Sequence, residues 1–221
     1  MKYKAIIFDM DGTLLDTLTG IITACNLSFK HFGFDVTFTN DDGKYFIGAG
    51  SAEFARRALA RANIPELDLM KFREVFLSNY EIYQKTGTKI FDDLDKLLTE
   101  LKENGYKIAI CSNKPQELLN QVTAQMYPEI KFDTVAGQRA GIPCKPDPKM
   151  FEITKQELGI ENNDEILYVG DSEYDFDFAK NSNVDICIVK YGYGQYEKDF
   201  MNHVTYSANS VSELSTMLLK K

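Results

Sequence analysis

Asp9 and Asp11 stand two residues apart in the run Asp9-Met10-Asp11-Gly12-Thr13-Leu14, directly behind the apolar stretch Ala5 to Phe8. Two carboxylates at that spacing suit a hard cation, which prefers oxygen ligands. Gly12 permits a sharp turn without a Cβ penalty and so folds Asp11 back beside Asp9. Taken alone, the stretch also reads as an ordinary strand-to-helix turn in which Asp11 caps a backbone amide. Three further groups bear on the choice. Ser112-Asn113-Lys114 follows the apolar run Ile108 to Cys111, and Lys145 opens Lys145-Pro146-Asp147-Pro148. Gly170-Asp171-Ser172-Glu173-Tyr174-Asp175 follows the apolar run Ile166 to Val169.

Those groups act together only if the fold brings them together. Apolar runs bounded by helices imply a parallel sheet, and such sheets bind ligands beyond the carboxyl ends of their strands. The pattern after Thr86 alternates in that way. It predicts a helix to Glu103, a strand Tyr106 to Cys111, a helix Pro115 to Met126 and a short strand around Thr134 to Ala136. A helix Pro148 to Leu158, a strand Glu165 to Val169, a helix Tyr174 to Asn181 and a strand Asp185 to Val189 follow. This is the signature of a doubly wound α/β sheet. A carboxylate pair, a hydroxyl, a lysine and a second acidic pair would then converge on one crevice.

Between Asp16 and Gly87 the texture is helical. Leu18, Ile21, Ile22, Cys25 and Phe29 fall at helical spacing, as do Phe54, Ala55, Ala58, Leu59 and Ala62, and then Phe72, Val75, Phe76, Tyr80 and Tyr83. These stripes read as the core of a helix bundle. Short linkers near Leu15 to Leu18 and Thr86 to Lys89 set the block off as a second domain of residues 16–87, with 1–15 and 88–221 forming the α/β domain.

The motifs, in this order over nearly the whole chain, resemble the haloacid dehalogenase superfamily of hydrolases. Leu101-Lys102-Glu103-Asn104-Gly105-Tyr106-Lys107, Lys145-Pro146-Asp147-Pro148, Val169-Gly170-Asp171-Ser172 and Tyr191-Gly192-Tyr193-Gly194 are similar to the phosphoglycolate-phosphatase-like branch. The resemblance implies a Rossmann-like, mainly parallel core with a small α-helical cap domain inserted after the first strand. One departure stands at Ile90-Phe91-Asp92-Asp93, where relatives often carry a Pro-Gly turn at the second hinge.

The resemblance also implies roles. Asp9 is the expected nucleophile, forming an aspartyl-phosphate, and Asp11 the general acid and base. The superfamily's dehalogenases lack a residue like Asp11, because a halide leaves without a proton. Lys145 is expected to hold Asp9 and a phosphoryl oxygen together, and Ser112 and the amide of Asn113 to bind another. Mg²⁺ is the expected cofactor, held by Asp9, the Asp11 backbone carbonyl and Asp171, with Asp175 as ligand or supporting partner. Lys114 is read as an electrostatic neighbour. The cap segment Phe46 to Ser51 resembles the loop that faces the site in relatives, which assigns substrate binding to Gly48, Gly50 and Ser51. Mutase relatives carry an arginine near the position of Ser51, and phosphonate-cleaving relatives a Schiff-base lysine. No lysine lies between Tyr45 and Met70, while Arg56 and Arg57 are candidate partners for an anion. His31 and His203 match no motif.

The implied activity is Mg²⁺-dependent hydrolysis of a small phosphomonoester, with 2-phosphoglycolate the leading substrate. A sugar-phosphate mutase is the second reading, and a receiver-type phospho-acceptor module the third. The formal charge of −8 argues against nucleic acid and anionic membranes as partners, since both are bound through clustered Lys and Arg. No apolar run approaches the length of a membrane span, and Met1-Lys2-Tyr3-Lys4 enters a strand with no signal-peptide pattern, so a cytoplasmic monomer or homodimer is expected. Cys25, Cys111, Cys144 and Cys187 show no paired spacing and read as free thiols.

Overall fold

The computed structural model of the chain describes residues 2–196 and 198–219. Strand β1 (Ala5–Phe8) is followed by β2 (Leu15–Asp16) and the helices α1 (Leu18–His31), α2 (Asn40–Lys44), α3 (Ser51–Ala62) and α4 (Leu69–Tyr83). Strand β3 (Lys89–Ile90), α5 (Leu94–Glu103), β4 (Lys107–Pro115), α6 (Gln116–Met126), β5 (Thr134–Gln138) and α7 (Lys149–Leu158) come next. The chain ends with β6 (Ile166–Gly170), α8 (Glu173–Ser182), β7 (Asp185–Val189), β8 (Tyr206–Ala208) and α9 (Val211–Leu219).

The main sheet runs β5-β4-β1-β6-β7-β8, and each pairing in it is parallel. Strand β1 is wholly buried, because its side chains enter cores on both faces: Ile6 and Phe8 on one, Ala5 and Ile7 on the other. One face is packed by Leu94, Leu97, Leu98 and Leu101 of α5, the opposite face by Met150 and Phe151 of α7 and Phe178 of α8. The chain builds outward from β1 to β4 and β5, then crosses to β6 on the other side of β1. The reversal places the switch point, where such sheets bind ligands, beside the ends of β1 and β6.

Helices α1 to α4 form their own core, rich in aromatic rings. Phe54 stacks on Phe76 (centroids 4.5 Å apart, planes at 17°), and Phe76 lies parallel to Tyr80 (5.9 Å, 4°). Local chemistry sets the helix ends. Thr39 and Asp42 close a capping box on α2, and the Asp68 carboxylate accepts from Lys71 N at 2.8 Å to start α4. Asn63 ends α3 in the left-handed conformation, at φ 56°.

The expected elements are present, with four differences. Strand β4 continues to Pro115 instead of stopping at Cys111, through a register shift between Cys111 and Pro115 that lets Pro115 pair with Gln138; Ser112, Asn113 and Lys114 lie in this irregular extension. The two linkers are not plain connections, since Leu15–Asp16 and Lys89–Ile90 pair as an antiparallel ribbon. Where relatives carry Pro-Gly, Asp93 takes the left-handed conformation (φ 64°) and starts α5, a role that Asp and Asn tolerate better than most residues. Strand β8 extends the sheet beyond the expected strands. Among the described residues, no helix is long and apolar enough to cross a membrane. Cys25, Cys111, Cys144 and Cys187 are free.

Candidate active site

Asp9 leaves the end of β1 with its amide donating to Val169 O of β6 at 2.9 Å, which fixes it at the switch point. The chain then turns back. Leu14 N and Leu15 N both donate to Met10 O at 3.0 Å, and Gly12 adopts φ 87° inside the turn. A side chain at Gly12 would overlap the Asp171 carboxylate, so glycine there serves the approach of a second acid as well as the bend.

Three carboxylates meet here. Oxygens of Asp9, Asp171 and Asp175 all lie within 4.8 Å of one another, and all three residues are buried. Lys145 stands among them, its Nζ 2.8 Å from Asp9 Oδ1 and 2.7 Å from Asp175 Oδ1. The contact to Asp9 lacks hydrogen-bonding geometry, and Asp9 Oδ1 has no hydrogen-bond donor. Burial works against the Lys145 charge, but the Asp175 and Asp9 carboxylates overcome it and hold the ammonium above its ordinary range. For Asp9, burial is also the largest influence. It outweighs the nearby Lys145, is reinforced by Asp175, and pushes the carboxyl up to about 6. Burial, then the charges of Asp175 and Asp9, push Asp171 well above the usual carboxylate range.

One ammonium among three buried carboxylates leaves uncompensated negative charge, and the Asp9 carboxylate keeps lone pairs beyond the one that faces Lys145. A hard divalent cation fits this donor set. Asp9 and Asp171 are the ligands best placed for it. Asp171 Oδ2 is steered by Tyr193 N at 2.6 Å. Asp175 is differently occupied. Its Oδ2 accepts from Asp171 N, Ser172 N and Ser172 Oγ at 3.1, 3.0 and 2.7 Å, closing a capping box on α8, and its Oδ1 takes Lys145 and Tyr168. With both oxygens committed, Asp175 orients Lys145 and the Asp171 turn instead of offering a vacant lone pair.

The Asp11 carboxylate stands apart from this cluster. Its Oδ1 pairs with Lys114 Nζ at 2.8 Å, and Lys114 also donates to the Tyr80 hydroxyl of α4. The Asp11 side chain is thereby held next to the acidic cluster but outside it.

A cavity of about 240 Å³ opens over these residues, between the sheet edge and the helices α1 to α4. Asp9, Asp11, Ser112, Asn113 and Asp171 line it from below, and Gly48, Gly50 and Ser51 from above. Lys145 and Asp175 lie behind Asp9. The Asn113 side chain has a task the sequence does not reveal. Its Nδ2 donates to Gly48 O and Lys145 O at 2.9 and 3.1 Å, while its Oδ1 accepts from Lys145 N at 2.7 Å. It therefore ties the cap loop to the lysine loop. Ser51 Oγ accepts from Arg73 Nε at 2.8 Å, so an arginine reaches the Ser51 position from α4. Arg57 lines the cavity and donates to the Tyr174 hydroxyl, whereas Arg56 is exposed and bound to Glu53. His31 and His203 are exposed and away from the cavity.

Tyr193 joins the site to the hinge. Its hydroxyl accepts from Thr17 N and Leu18 N at 2.6 and 3.1 Å and donates to Asp16 Oδ1 at 2.7 Å, where α1 leaves the first linker. The Tyr191 to Gly194 segment is visible in the sequence, but this contact is not. Side chains reaching across 176 residues leave no periodic trace.

The sequence profile of the haloacid dehalogenase-like hydrolases matches residues 6–189. Phosphoglycolate phosphatase of Colwellia psychrerythraea is 27% identical over 199 residues, covering 88% of this chain and 87% of its own. That of Aquifex aeolicus is 29% identical over 190 residues, covering 86% of each. A Lactobacillus delbrueckii subsp. bulgaricus crystal structure, provisionally named phosphoglycolate phosphatase, superposes with a TM-score of 0.90 at 30% identity and full coverage of both chains. The chain belongs to the haloacid dehalogenase-like hydrolase family, as a phosphatase similar to the phosphoglycolate phosphatases.

Proposed function

We propose that the chain hydrolyses a small phosphomonoester in the cytoplasm, with 2-phosphoglycolate as the leading substrate, through an aspartyl-phosphate on Asp9. The observation that carries this reading is the separation of the two motif acids: Asp9 beside Lys145 in the acidic cluster, and Asp11 outside it beside Lys114. A cavity of about 240 Å³ favours a substrate smaller than the drug-sized ligands that fill about 300–1,000 Å³.

In the first step an Asp9 oxygen attacks phosphorus, the bond to the ester oxygen breaks, and Asp11 gives its proton to the departing alkoxide. In the second, Asp11 takes a proton from water, whose oxygen attacks the same phosphorus and frees Asp9 and inorganic phosphate. Lys145 lowers the repulsion between Asp9 and the phosphoryl oxygens, and Ser112 with the Asn113 amide receives another of those oxygens. Asp9, the Asp11 carbonyl and Asp171 would hold Mg²⁺, and Asp175 would keep Asp171 and Lys145 in place. When bound, such an ion neutralises charge where two anions must meet. The helical unit of residues 16–87 acts as a cap that excludes water and contacts the leaving group through Gly48, Gly50 and Ser51.

The test is release of inorganic phosphate from 2-phosphoglycolate, a hexose phosphate and an aryl phosphate, with Mg²⁺ present. Many turnovers per chain, fastest on the small ester, are expected. No release from any of the three, by folded protein, contradicts the reading.

A further inference from the structure

Among the described residues, four cationic side chains line the cavity: Lys44, Arg57, Lys114 and Lys198. Three are balanced by acids that take no part in the proposed chemistry. Lys44 pairs with Asp41 at 2.9 Å, Arg57 with Glu53 at 2.8 Å, and Lys198 with Glu173. Lys114 differs. Its side chain is 1% exposed, and its counterion is Asp11, 2.8 Å away. The ammonium also donates to the Tyr80 hydroxyl and lies 4.4 Å from the centre of that ring. Tyr80 is itself fixed by the parallel stack of Phe76 and Phe54. The lysine therefore holds its place by buried contacts from both halves of the molecule.

Asp11 must turn to the ester oxygen of a bound substrate, and its pairing with Lys114 is then weakened or lost. A buried ammonium without a counterion is unfavourable, so the site is most stable when the arriving substrate brings one. Because Lys114 flanks the acid that serves the ester oxygen, it flanks whatever substituent that oxygen carries. In the phosphate ester of a short 2-hydroxy acid, the carboxylate is on the carbon that bears the ester oxygen. Where further carbons separate the two groups, the carboxylate is carried past.

We propose that Lys114, steadied by Tyr80, is a specificity residue that takes the carboxylate of the leaving alcohol in exchange for Asp11. The substrate class is then the phosphate esters of short 2-hydroxy acids. This rests on the phosphatase reading above and narrows it. Lysine meets a carboxylate as a point charge and discriminates by charge more than by shape.

The experiment uses the full chain with Mg²⁺ and two esters of like size, 2-phosphoglycolate and 2-hydroxyethyl phosphate. The wild type is expected to favour the carboxylate ester by roughly tenfold or more in kcat/KM. Lys114→Met should reduce that ratio by about tenfold or more, chiefly through KM of the carboxylate ester, and Lys114→Arg should restore part of it. Tyr80→Phe, which keeps the ring, should reduce the ratio by a smaller factor, and it serves if Lys114→Met does not fold. A wild type with no preference between the esters overturns the proposal without any variant. So does an equal loss on both esters in Lys114→Met or Tyr80→Phe. Hydrolysis of neither ester, nor of an aryl phosphate, by the wild type contradicts the phosphatase reading itself, and this inference falls with it.

Discussion

Burial pushes the Asp9 carboxyl up to about 6 although Lys145 is 2.8 Å away, so in the metal-free protein the nucleophile's charge is costly. The unfolded chain ionises the same group near 3.9. Asp9 therefore contributes stability that is present below about pH 4 and lost as pH rises through about 6, and Asp171, also shifted upward, adds in the same sense. A cation that neutralises these groups should stabilise the fold more at about pH 7.5 than at about pH 5. At a hundredfold excess over Kd, linkage gives about 2.7 kcal/mol, or roughly 5–11 °C for a chain of this length. Thermal melts with and without Mg²⁺ at both values check this; a shift that is equal at both, or none, contradicts it. Asp11 makes a different prediction. General acid–base catalysis is worth about 10²–10⁴ in rate, so Asp11→Asn should be slowed by that order on an alkyl ester. An aryl phosphate, whose leaving group needs less protonation, should recover part of the loss in phosphoryl transfer to the enzyme. Equal loss on both esters would show that Asp11 does not protonate the leaving group.

The elements that hold these residues were legible to different degrees. Strands β1, β6 and β7 appear as apolar runs, and α1, α3 and α4 as stripes at helical spacing, because burial on a regular backbone imposes a period. The ribbon of β2 and β3 has two residues in each strand, too few for any period. The extension of β4 through Ser112 to Pro115 is irregular, so its pairing leaves no alternation to read. Yet that ribbon and the Tyr193 hydroxyl are what fasten α1 to the acidic site. Tyr193→Phe removes the acceptor of the Thr17 and Leu18 amides and keeps the ring. Leaving such buried donors unmatched costs about 1–3 kcal/mol. A variant that folds but shows raised KM and a lower melting temperature is expected, with kcat less affected than in Asp11→Asn. Unchanged KM and stability would mean that this contact does not hold the hinge.

At the scale of the whole molecule, the sheet and the helices α1 to α4 have separate cores, and the cavity forms where they face each other. The motif order predicted which residues share the floor of that cavity: Asp9, Asp11, Ser112, Asn113 and Asp171. It did not predict their partners. Lys114 meets Asp11 across 103 residues, Arg73 meets Ser51 from a neighbouring helix, and Lys145 meets Asp175 across 30 residues. Such pairings depend on side-chain reach in the folded chain, which spacing along the sequence does not encode. The net charge of −8 is consistent with a small anionic ester as partner, because Lys145 and Lys114 stand at the reacting groups whatever the charge elsewhere. The central claim is that Asp9 takes the phosphoryl group. Release of inorganic phosphate from 2-phosphoglycolate by the wild type and by Asp9→Asn, each with Mg²⁺ and after chelation, tests it most directly. Turnover by the wild type with Mg²⁺, silence after chelation with recovery when Mg²⁺ is restored, and essentially none from the variant are expected. Substantial turnover by folded Asp9→Asn would contradict it.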